Sequence, residues 1–197
     1  MATCLGITQG AVYDCTNPLV PFVRQRLLIG NLEDIATITF SLVAGEENVI
    51  TAITMSSGKA MFAFDGVKAS ITAQAELVAT AFAPQYNHQN TLIVWEVDNT
   101  QKLNLQGMAA VPQFSIVENS KDSSLGNSVF EVFGVGRGME VSELIRINAD
   151  ADTSGGYSVT LVTPDEGGKE TALPDSFFDT SLTVTEAAVE ALLTPAL

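Results

Sequence analysis

Alternation of apolar and polar side chains predicts several β-strands along this chain. In residues 35–42 and 157–163 apolar side chains occupy every second position, the pattern of a strand with one buried face. Residues 91–97 are nearly all apolar, as expected of a strand buried on both faces, so this stretch is predicted to be the core centre. Further strands are predicted at residues 22–30, 49–55, 115–118 and 128–133. Residues 101–114 are predicted to contain one more strand, ending before Pro112, and residues 141–148 to form either a strand or a helical turn.

A long β-hairpin is predicted between residues 59 and 77. Asp65-Gly66 at its centre tolerates the positive φ angles of a two-residue type I′ turn, which would fold the flanking segments back on each other. Counting outward from this turn puts six apolar residues on one face, in the pairs Phe64 with Val67, Phe62 with Ala69 and Ala60 with Ile71. The opposite face is predicted to be mostly polar and to meet water or a partner, and its candidate site residues are Lys59, Met61, Lys68, Ser70, Thr72, Gln74 and Glu76.

The first 21 residues are predicted to form an irregular N-terminal arm. Glycine and proline recur in this segment and interrupt its short apolar pieces. Arms of this kind often cross to a neighbouring subunit, and the candidate contact residues are Cys4, Gln9, Tyr13, Cys15 and Asn17.

A short helix is predicted near the C-terminus, at residues 183–193. Thr183 and Glu186 match a capping box, and Val189, Leu192 and Leu193 lie on one helical face. Taken with the strands, this predicts a mainly β fold, a sandwich or barrel of antiparallel strands. The predicted organisation is a single domain over residues 1–197, with the arm at residues 1–21 and a C-terminal tail at residues 176–197.

The charge balance argues against binding to nucleic acid. The chain has 23 acidic and 9 basic side chains, for a formal net charge of −14, so no basic patch is expected that could release counterions from a phosphate backbone. Charged residues are only 16% of the chain, and Ala, Thr, Ser, Asn and Val are frequent. Such a surface is predicted to be covered by neighbouring subunits, or to belong to a secreted or adhesive β protein.

The sequence gives no sign of a membrane anchor or of a disulfide framework. No run approaches the roughly 20 apolar residues that a membrane span needs, and the N-terminus lacks the features of a signal peptide. The chain is therefore expected to be made and kept in a cytoplasm. Cys4 and Cys15 are its two cysteines; buried thiols are the favoured interpretation, and a bond between them is left open.

Two glycine-containing motifs have superficial likeness to ligand sites. Residues 134–138, GVGRG, follow a predicted strand but lack the third glycine of a dinucleotide loop, so a glycine-rich loop is predicted. Asp150 and Asp152 with Gly155 begin like a calcium loop, but Leu161 stands where the bidentate glutamate belongs. Turn chemistry of the Asx type is predicted there instead.

No catalytic, cofactor or metal site is predicted. His88 is the single histidine and is assigned to a polar loop at residues 86–89, without a pattern that would complete a catalytic triad or a zinc site. Trp95 is interpreted, with Phe62, Phe64 and Phe133, as part of the core; a lectin-like aromatic site is the alternative.

The order of these features resembles tail tube proteins of tailed bacteriophages, in particular those of phages that infect Bacteroidetes-type gut bacteria. The resemblance rests on the cysteine-containing arm, the GKAMFAFDGVKASITAQAEL and LIVWEVDNTQKLNLQG segments, the GVGRGMEV loop and the GGYSVTLVTPDEGG strand. It covers most of the chain.

Membership of that family implies a structural virion protein and no enzyme. Its β-sandwich subunits assemble into six-fold rings, strands of each subunit join into one barrel around a channel, and rings stack through loops and arms. The implied partners are further copies of the chain and other tail proteins, while DNA passes without specific binding and no membrane is involved. The implied location is the virion tail, assembled in the host bacterial cytoplasm, with the polar hairpin face at the channel or at a partner.

Two other functions remain open at this point. A capsid decoration or head–tail connector protein would share the composition and the viral origin but assemble with a different symmetry. A carbohydrate-binding β-sandwich module would be a monomer with exposed aromatic side chains.

Overall fold

The computed structural model describes residues 23–67, 69–78, 83–119, 127–165 and 168–196. Eleven strands in these residues form two sheets. The larger sheet has seven strands in the order β2-β3-β11-β8-β7-β1-β4. Their bounds are β1 Val23–Asn31, β2 Ile35–Phe40, β3 Val49–Met55, β4 Phe62–Asp65, β7 Gln113–Asn119, β8 Phe130–Phe133 and β11 Asp175–Phe177.

The smaller sheet has four strands in the order β5-β6-β10-β9, and every neighbouring pair is antiparallel. Its strands are β5 Ile71–Val78, β6 Gln85–Val94, β9 Glu140–Arg146 and β10 Tyr157–Val162. A single 3-10 turn at Leu32–Asp34 joins β1 to β2.

Two α-helices complete the described part, and each is capped by a side chain that accepts a hydrogen bond from its first turn. Helix α1 spans Asn99–Met108, and Asp98 accepts from the amide of Gln101 at 2.7 Å. Helix α2 spans Leu182–Ala191, and Ser181 accepts from the amide of Val184 at 3.4 Å. The predicted C-terminal helix is thus confirmed, although its cap is Ser181 and not Thr183.

The central strands of the large sheet, β1, β7 and β8, are buried on both faces, so the fold has three layers there. On β1, Leu27 and Ile29 belong to the core between the two sheets, whereas Leu28 belongs to the core under α2. This explains the unbroken apolar run of that strand. Helix α1 adds Leu105 and Met108 to the first core. The prediction of a mainly β fold, a sandwich or barrel of antiparallel strands, is confirmed: the structure is a two-sheet sandwich whose described strand pairs are antiparallel except for β3 with β11.

The predicted hairpin over residues 59–77 is wrong. β4 pairs with β1 in the large sheet, with Phe62 opposite Ile29, whereas β5 pairs with β6 in the small sheet. The chain therefore crosses from one sheet to the other after Gly66, whose amide donates to the carbonyl oxygen of Gln25 at 2.7 Å. Pairing of β4 with β1, and of β5 with the next strand β6, replaces the local pairing that the Asp-Gly turn favours.

Two other predicted segments have different structures. The polar loop predicted at residues 86–89 lies within β6, and the strand predicted in residues 101–114 is mostly α1. Residues 141–148, left open between strand and helical turn, contribute most of β9. The N-terminal arm lies outside the described residues.

Candidate assembly surface

The outer face of the small sheet carries polar side chains on all four of its strands. The register aligns Thr72, Thr91, Thr160 and Glu143 in one row across the sheet. The hydroxyl oxygens of Thr91 and Thr160 lie 3.4 Å apart, as expected of cross-strand neighbours. We call this surface the polar face; Ile93, Ile145 and Val162 share the same side of the sheet, and its polar members are Thr72, Gln74, Glu76, Asn87, Gln89, Thr91, Glu140, Glu143, Ser158 and Thr160.

The charged members of the polar face are carboxylates. Glu76 lies on β5, and Glu140 and Glu143 lie on β9. Lys169 reaches the face from a loop, where its ammonium group donates to the side-chain oxygen of Asn87 at 3.2 Å. The same ammonium group pairs with the carboxylate of Asp165 at 2.6 Å, so its charge is compensated. The polar face is consequently neutral to acidic.

Both edges of the small sheet are open in the described part of the chain. β5 and β9 are its end strands, and no described strand pairs with the outer edge of either. Most residues of both strands are exposed, including the apolar side chains of Leu77, Leu144 and Ile145, with Ile147 directly beyond β9. An edge strand with exposed apolar side chains is a template for pairing with another chain.

The directions of the strands determine how such edges can meet. Because the four strands alternate in direction, β5 and β9 run oppositely. Copies related by rotation about one axis keep these directions, so β9 of one copy would lie antiparallel to β5 of the next. Edge pairing between rotated copies therefore continues the same antiparallel sheet.

The residues predicted for one polar hairpin face are divided between several environments. Thr72, Gln74 and Glu76 are exposed on the polar face. Met61 and Ser70 are buried, so their assignment to an exposed face was wrong. Lys59 is exposed at another place, where its ammonium group lies 2.8 Å from a carboxylate oxygen of buried Asp34 and lowers the pKa of that carboxyl.

Six predicted site residues lie outside the described residues. They are Lys68 of the hairpin and the arm residues Cys4, Gln9, Tyr13, Cys15 and Asn17.

His88 is buried on the inner side of β6, contrary to the prediction of a polar loop residue. Its Nδ1 atom accepts a hydrogen bond from the amide of Gly134 at 3.1 Å, so Nε2 carries the proton and donates to the carbonyl oxygen of Ala172 at 3.1 Å. The ring also meets Phe133 edge-on at 5.4 Å. Burial lowers the pKa of His88, which keeps the ring neutral in this role.

Glu170 makes a second connection beside His88. Its carboxylate accepts from the amide of Arg137 at 2.8 Å, and its backbone exchanges two hydrogen bonds with Tyr86. Through these hydrogen bonds, His88 and Glu170 connect the glycine loop at residues 134–138 and the segment before β11 to the small sheet. The role of His88 and of Glu170 is not visible in the sequence because their partners are distant along the chain.

Replacing Asp175 with asparagine is expected to stabilise the protein at pH 7. Burial, together with the charge of Glu170, raises the pKa of Asp175 to about 6. A folded-state pKa above the unfolded value means that ionisation of this carboxyl costs stability above pH 6 and nothing below about pH 4. Allowing for solvent screening of a half-buried group, Asp175→Asn should add about 1 kcal/mol at pH 7.

Denaturant unfolding at pH 7 and pH 4 measures this gain. The gain should largely disappear at pH 4, where the carboxyl is protonated in the folded state and about half protonated in the unfolded state. Asp152→Asn, at an exposed position, is the matched control and should change stability by less than about 0.5 kcal/mol at either pH. Equal stability of the Asp175→Asn and unchanged proteins at pH 7 would contradict the assignment.

Of the two glycine-containing motifs, the one that begins at Asp150 forms a turn and the one at residues 134–138 forms a loop. A carboxylate oxygen of Asp150 accepts from the amide of Asp152 at 3.1 Å, and the other accepts from the hydroxyl of Thr153 at 2.9 Å, as in an Asx turn. Among the described residues no group of three or more His, Cys, Asp or Glu side chains is placed to hold a metal ion. The segment at residues 134–138 is a loop that follows β8, as predicted.

The predicted aromatic core is only partly correct. Phe133 is buried and Phe64 is half-buried against the core between the sheets. Phe62 is exposed, and Trp95 is half-buried beside a cavity of about 470 Å³ that Asp152 and Ser154 also line.

Comparison with known proteins identifies no relative of this chain. No protein-family model, curated protein or solved structure matches this chain. Within the residues described, neither helix has the length and apolar character required to cross a bilayer.

Proposed function

We propose that this chain is a structural virion protein, a phage tail tube subunit that polymerises into stacked six-fold rings around a channel for DNA. The observation that carries the proposal is the small sheet, which combines two open edges with one polar face. The resemblance of the sequence to tail tube proteins supplies the ring symmetry. Neither the open edges nor the polar face requires a covalent bond to be made or broken, so the proposed function is mechanical.

Edge pairing would join the small sheets into one closed barrel. Closure removes the open edges of β5 and β9, and the even number of alternating strands keeps every junction antiparallel. Six copies of a four-stranded sheet, with strands about 4.8 Å apart and tilted by about 40°, give a backbone diameter on the order of 50 Å. A barrel of this width leaves an aqueous channel.

The polar face would line the channel. The large sheet and α2 cover the opposite side of the small sheet, so the polar face is the side that can turn inward. Its hydroxyl, amide and carboxylate groups offer no unpaired cation to a phosphate backbone, and Glu76, Glu140 and Glu143 repel it. DNA would therefore pass without specific binding.

The location and partners follow from this role. The subunit would be made in the host bacterial cytoplasm, assemble there with further copies and other tail proteins, and remain in the virion tail.

Electron microscopy of the purified protein at high concentration, with light scattering for mass, tests the proposal. Hollow rings or tubes with a mass in multiples of six 20.8 kDa chains are expected. Closed particles of another symmetry would instead indicate a decoration or connector protein.

A carbohydrate-binding module is the second candidate, favoured by the cavity beside Trp95. An aromatic ring next to carboxylate and hydroxyl groups is suited to stacking and hydrogen bonding with a sugar. This alternative predicts a 20.8 kDa monomer at every concentration, so the same mass measurement separates it from the tail tube subunit.

A further inference from the structure

A groove lies between helix α1 and strand β4, at one edge of the large sheet. It has a volume of about 410 Å³. Phe62 of β4 and Leu103 of α1 line it and are 63% and 67% exposed, so two large apolar side chains meet water there. Its lining also includes Asn31, the last residue of β1, and Gln113, the first residue of β7. The groove, which we call the α1–β4 groove, is thus at the end of the sheet where β4 begins.

The loop between β2 and β3, residues 41–48, presents apolar side chains to solvent at the opposite edge of the large sheet. Leu42 is fully exposed and Val43 is 59% exposed. Hydrogen bonds within the loop hold its shape, since the hydroxyl of Ser41 donates to a carboxylate oxygen of Glu46 at 3.0 Å and accepts from the amide of Val43 at 3.2 Å. A loop that is already held in one shape loses little conformational entropy when it binds.

The directions of the strands bring this loop and the groove together between copies. β2 and β4 are the two end strands of the large sheet, and the outer edge of neither pairs with a described strand. Of the six junctions between them, only that of β3 with β11 is parallel, so β2 and β4 run in opposite directions. β2 of one copy can therefore lie antiparallel to β4 of a rotated neighbour. In that arrangement the end of β2 lies beside the start of β4, and the loop that follows β2 reaches the α1–β4 groove.

The charges around the groove permit an acidic loop to dock. Lys102, next to Leu103 on α1, is exposed and forms no ion pair with a described residue. Glu96 is the one carboxylate among the residues that line the groove, and Lys102 offsets its charge. The groove is therefore nearly neutral, whereas most of the surface of a chain with a net charge of −14 would repel Glu46 and Glu47 of the loop.

We propose that the loop at residues 41–48 of one copy docks in the α1–β4 groove of a neighbouring copy, with β2 of the first paired to β4 of the second. This contact requires the assembly of copies proposed above and adds a second interface to it, because β2 and β4 belong to the large sheet. Leu42 and Val43 would cover Phe62 and Leu103, and the open edges of the large sheet would be paired.

Replacing Leu42 with lysine tests the contact in the full-length chain. Leu42→Lys would place an ammonium group in an apolar groove, so the protein concentration at which half of the chains are assembled should rise about tenfold or more in light scattering. Leu173→Lys is the matched control, since Leu173 is 56% exposed and lies outside the groove and outside the described strands. It makes the same change in charge and should leave that concentration nearly unchanged.

A charge pair across the contact tests which surfaces meet. Leu103→Glu should weaken assembly when it is the only substitution. Combined with Leu42→Lys in one chain, it should recover about threefold or more of the lost assembly, because the new carboxylate of each copy faces the new ammonium group of the next. Leu103→Glu combined with Leu173→Lys should show no recovery.

Amide hydrogen exchange of the assembled protein locates the contact, since amides of β2 and β4 should gain protection on assembly. Weakening by Leu42→Lys but not by Leu173→Lys, in particles without six-fold symmetry, would support the docked loop and contradict the tail tube ring. Particles that form at the same concentration with and without Leu42→Lys would overturn the docked loop and leave the ring proposal standing. A protein that stays monomeric at every concentration would overturn both.

Discussion

The double variant Leu144→Lys with Ile147→Lys is expected to abolish ring formation while the subunit stays folded. Leu144 lies on β9, and Ile147 follows its last residue, at the open edge that would pair with β5 of a neighbouring copy. Lysines on an edge strand block pairing because burying an ammonium group at a strand junction leaves its charge without water or a partner. Light scattering and electron microscopy should therefore detect only single subunits.

The chain offers a closely matched control for this variant. Leu144 and Ile147 are 37% and 57% exposed, and Leu182 and Leu173 are 36% and 56% exposed at positions outside the strands of the small sheet. Leu182→Lys with Leu173→Lys makes the same change in charge and should leave ring formation intact. Loss of rings in both variants, or in neither, would contradict pairing through β9.

Phe177→Ala is expected to cause the largest loss of stability among the variants considered, about 3–5 kcal/mol. Phe177 is almost fully buried in the core under α2, and it lies on β11, a strand of only three residues. β11 joins β3 to β8 and so connects the β2–β3 pair to the rest of the large sheet. The variant should create a cavity at this connection and weaken the attachment of β2 and β3.

Denaturant unfolding with amide hydrogen exchange measures both effects. Exchange should increase most in β2 and β3, because their attachment to the sheet passes through β11. Phe40→Ala, a change of the same chemistry at an exposed position on β2, should cost far less than Phe177→Ala. Comparable losses in the two variants would refute the role of β11.

Strand alternation was sufficient to predict the fold class but not the pairing. β2, β3, β8 and β10 lie close to their predicted positions, since each has a pattern that can be read within a few residues. The hairpin prediction failed because Asp65-Gly66 encodes only a local turn preference. Burial of Ile71 against β6 and pairing of β4 with β1 outweigh that preference, and neither is visible in a short window of sequence.

Helix α1 could have been predicted from a signal that sequence analysis overlooked. Asp98 followed three residues later by Gln101 has the spacing of a capping box, and Leu105 and Met108 are three residues apart on the buried side. His88 offered no such signal. Its burial depends on the amide of Gly134 and the carbonyl of Ala172, which are 46 and 84 residues away.

The candidate surface was only partly accessible from sequence. Alternation along residues 71–77 correctly gave Thr72, Gln74 and Glu76 a common exposed face. The members on β6, β9 and β10 join them only through the register of the small sheet, which must be known first. Met61 and Ser70 were misplaced because the chain leaves the sheet between them.

Pairing between β5 and β9 of neighbouring copies can be measured by amide hydrogen exchange of the dilute and the assembled protein. Amides on the outer edges of both strands should gain about tenfold or more protection on assembly, because they become hydrogen bonded between chains. β6 and β10 are already paired on both sides and should change little. Assembly of the protein into particles with no gain of protection in β5 and β9 would show that neighbouring copies do not pair through these strands.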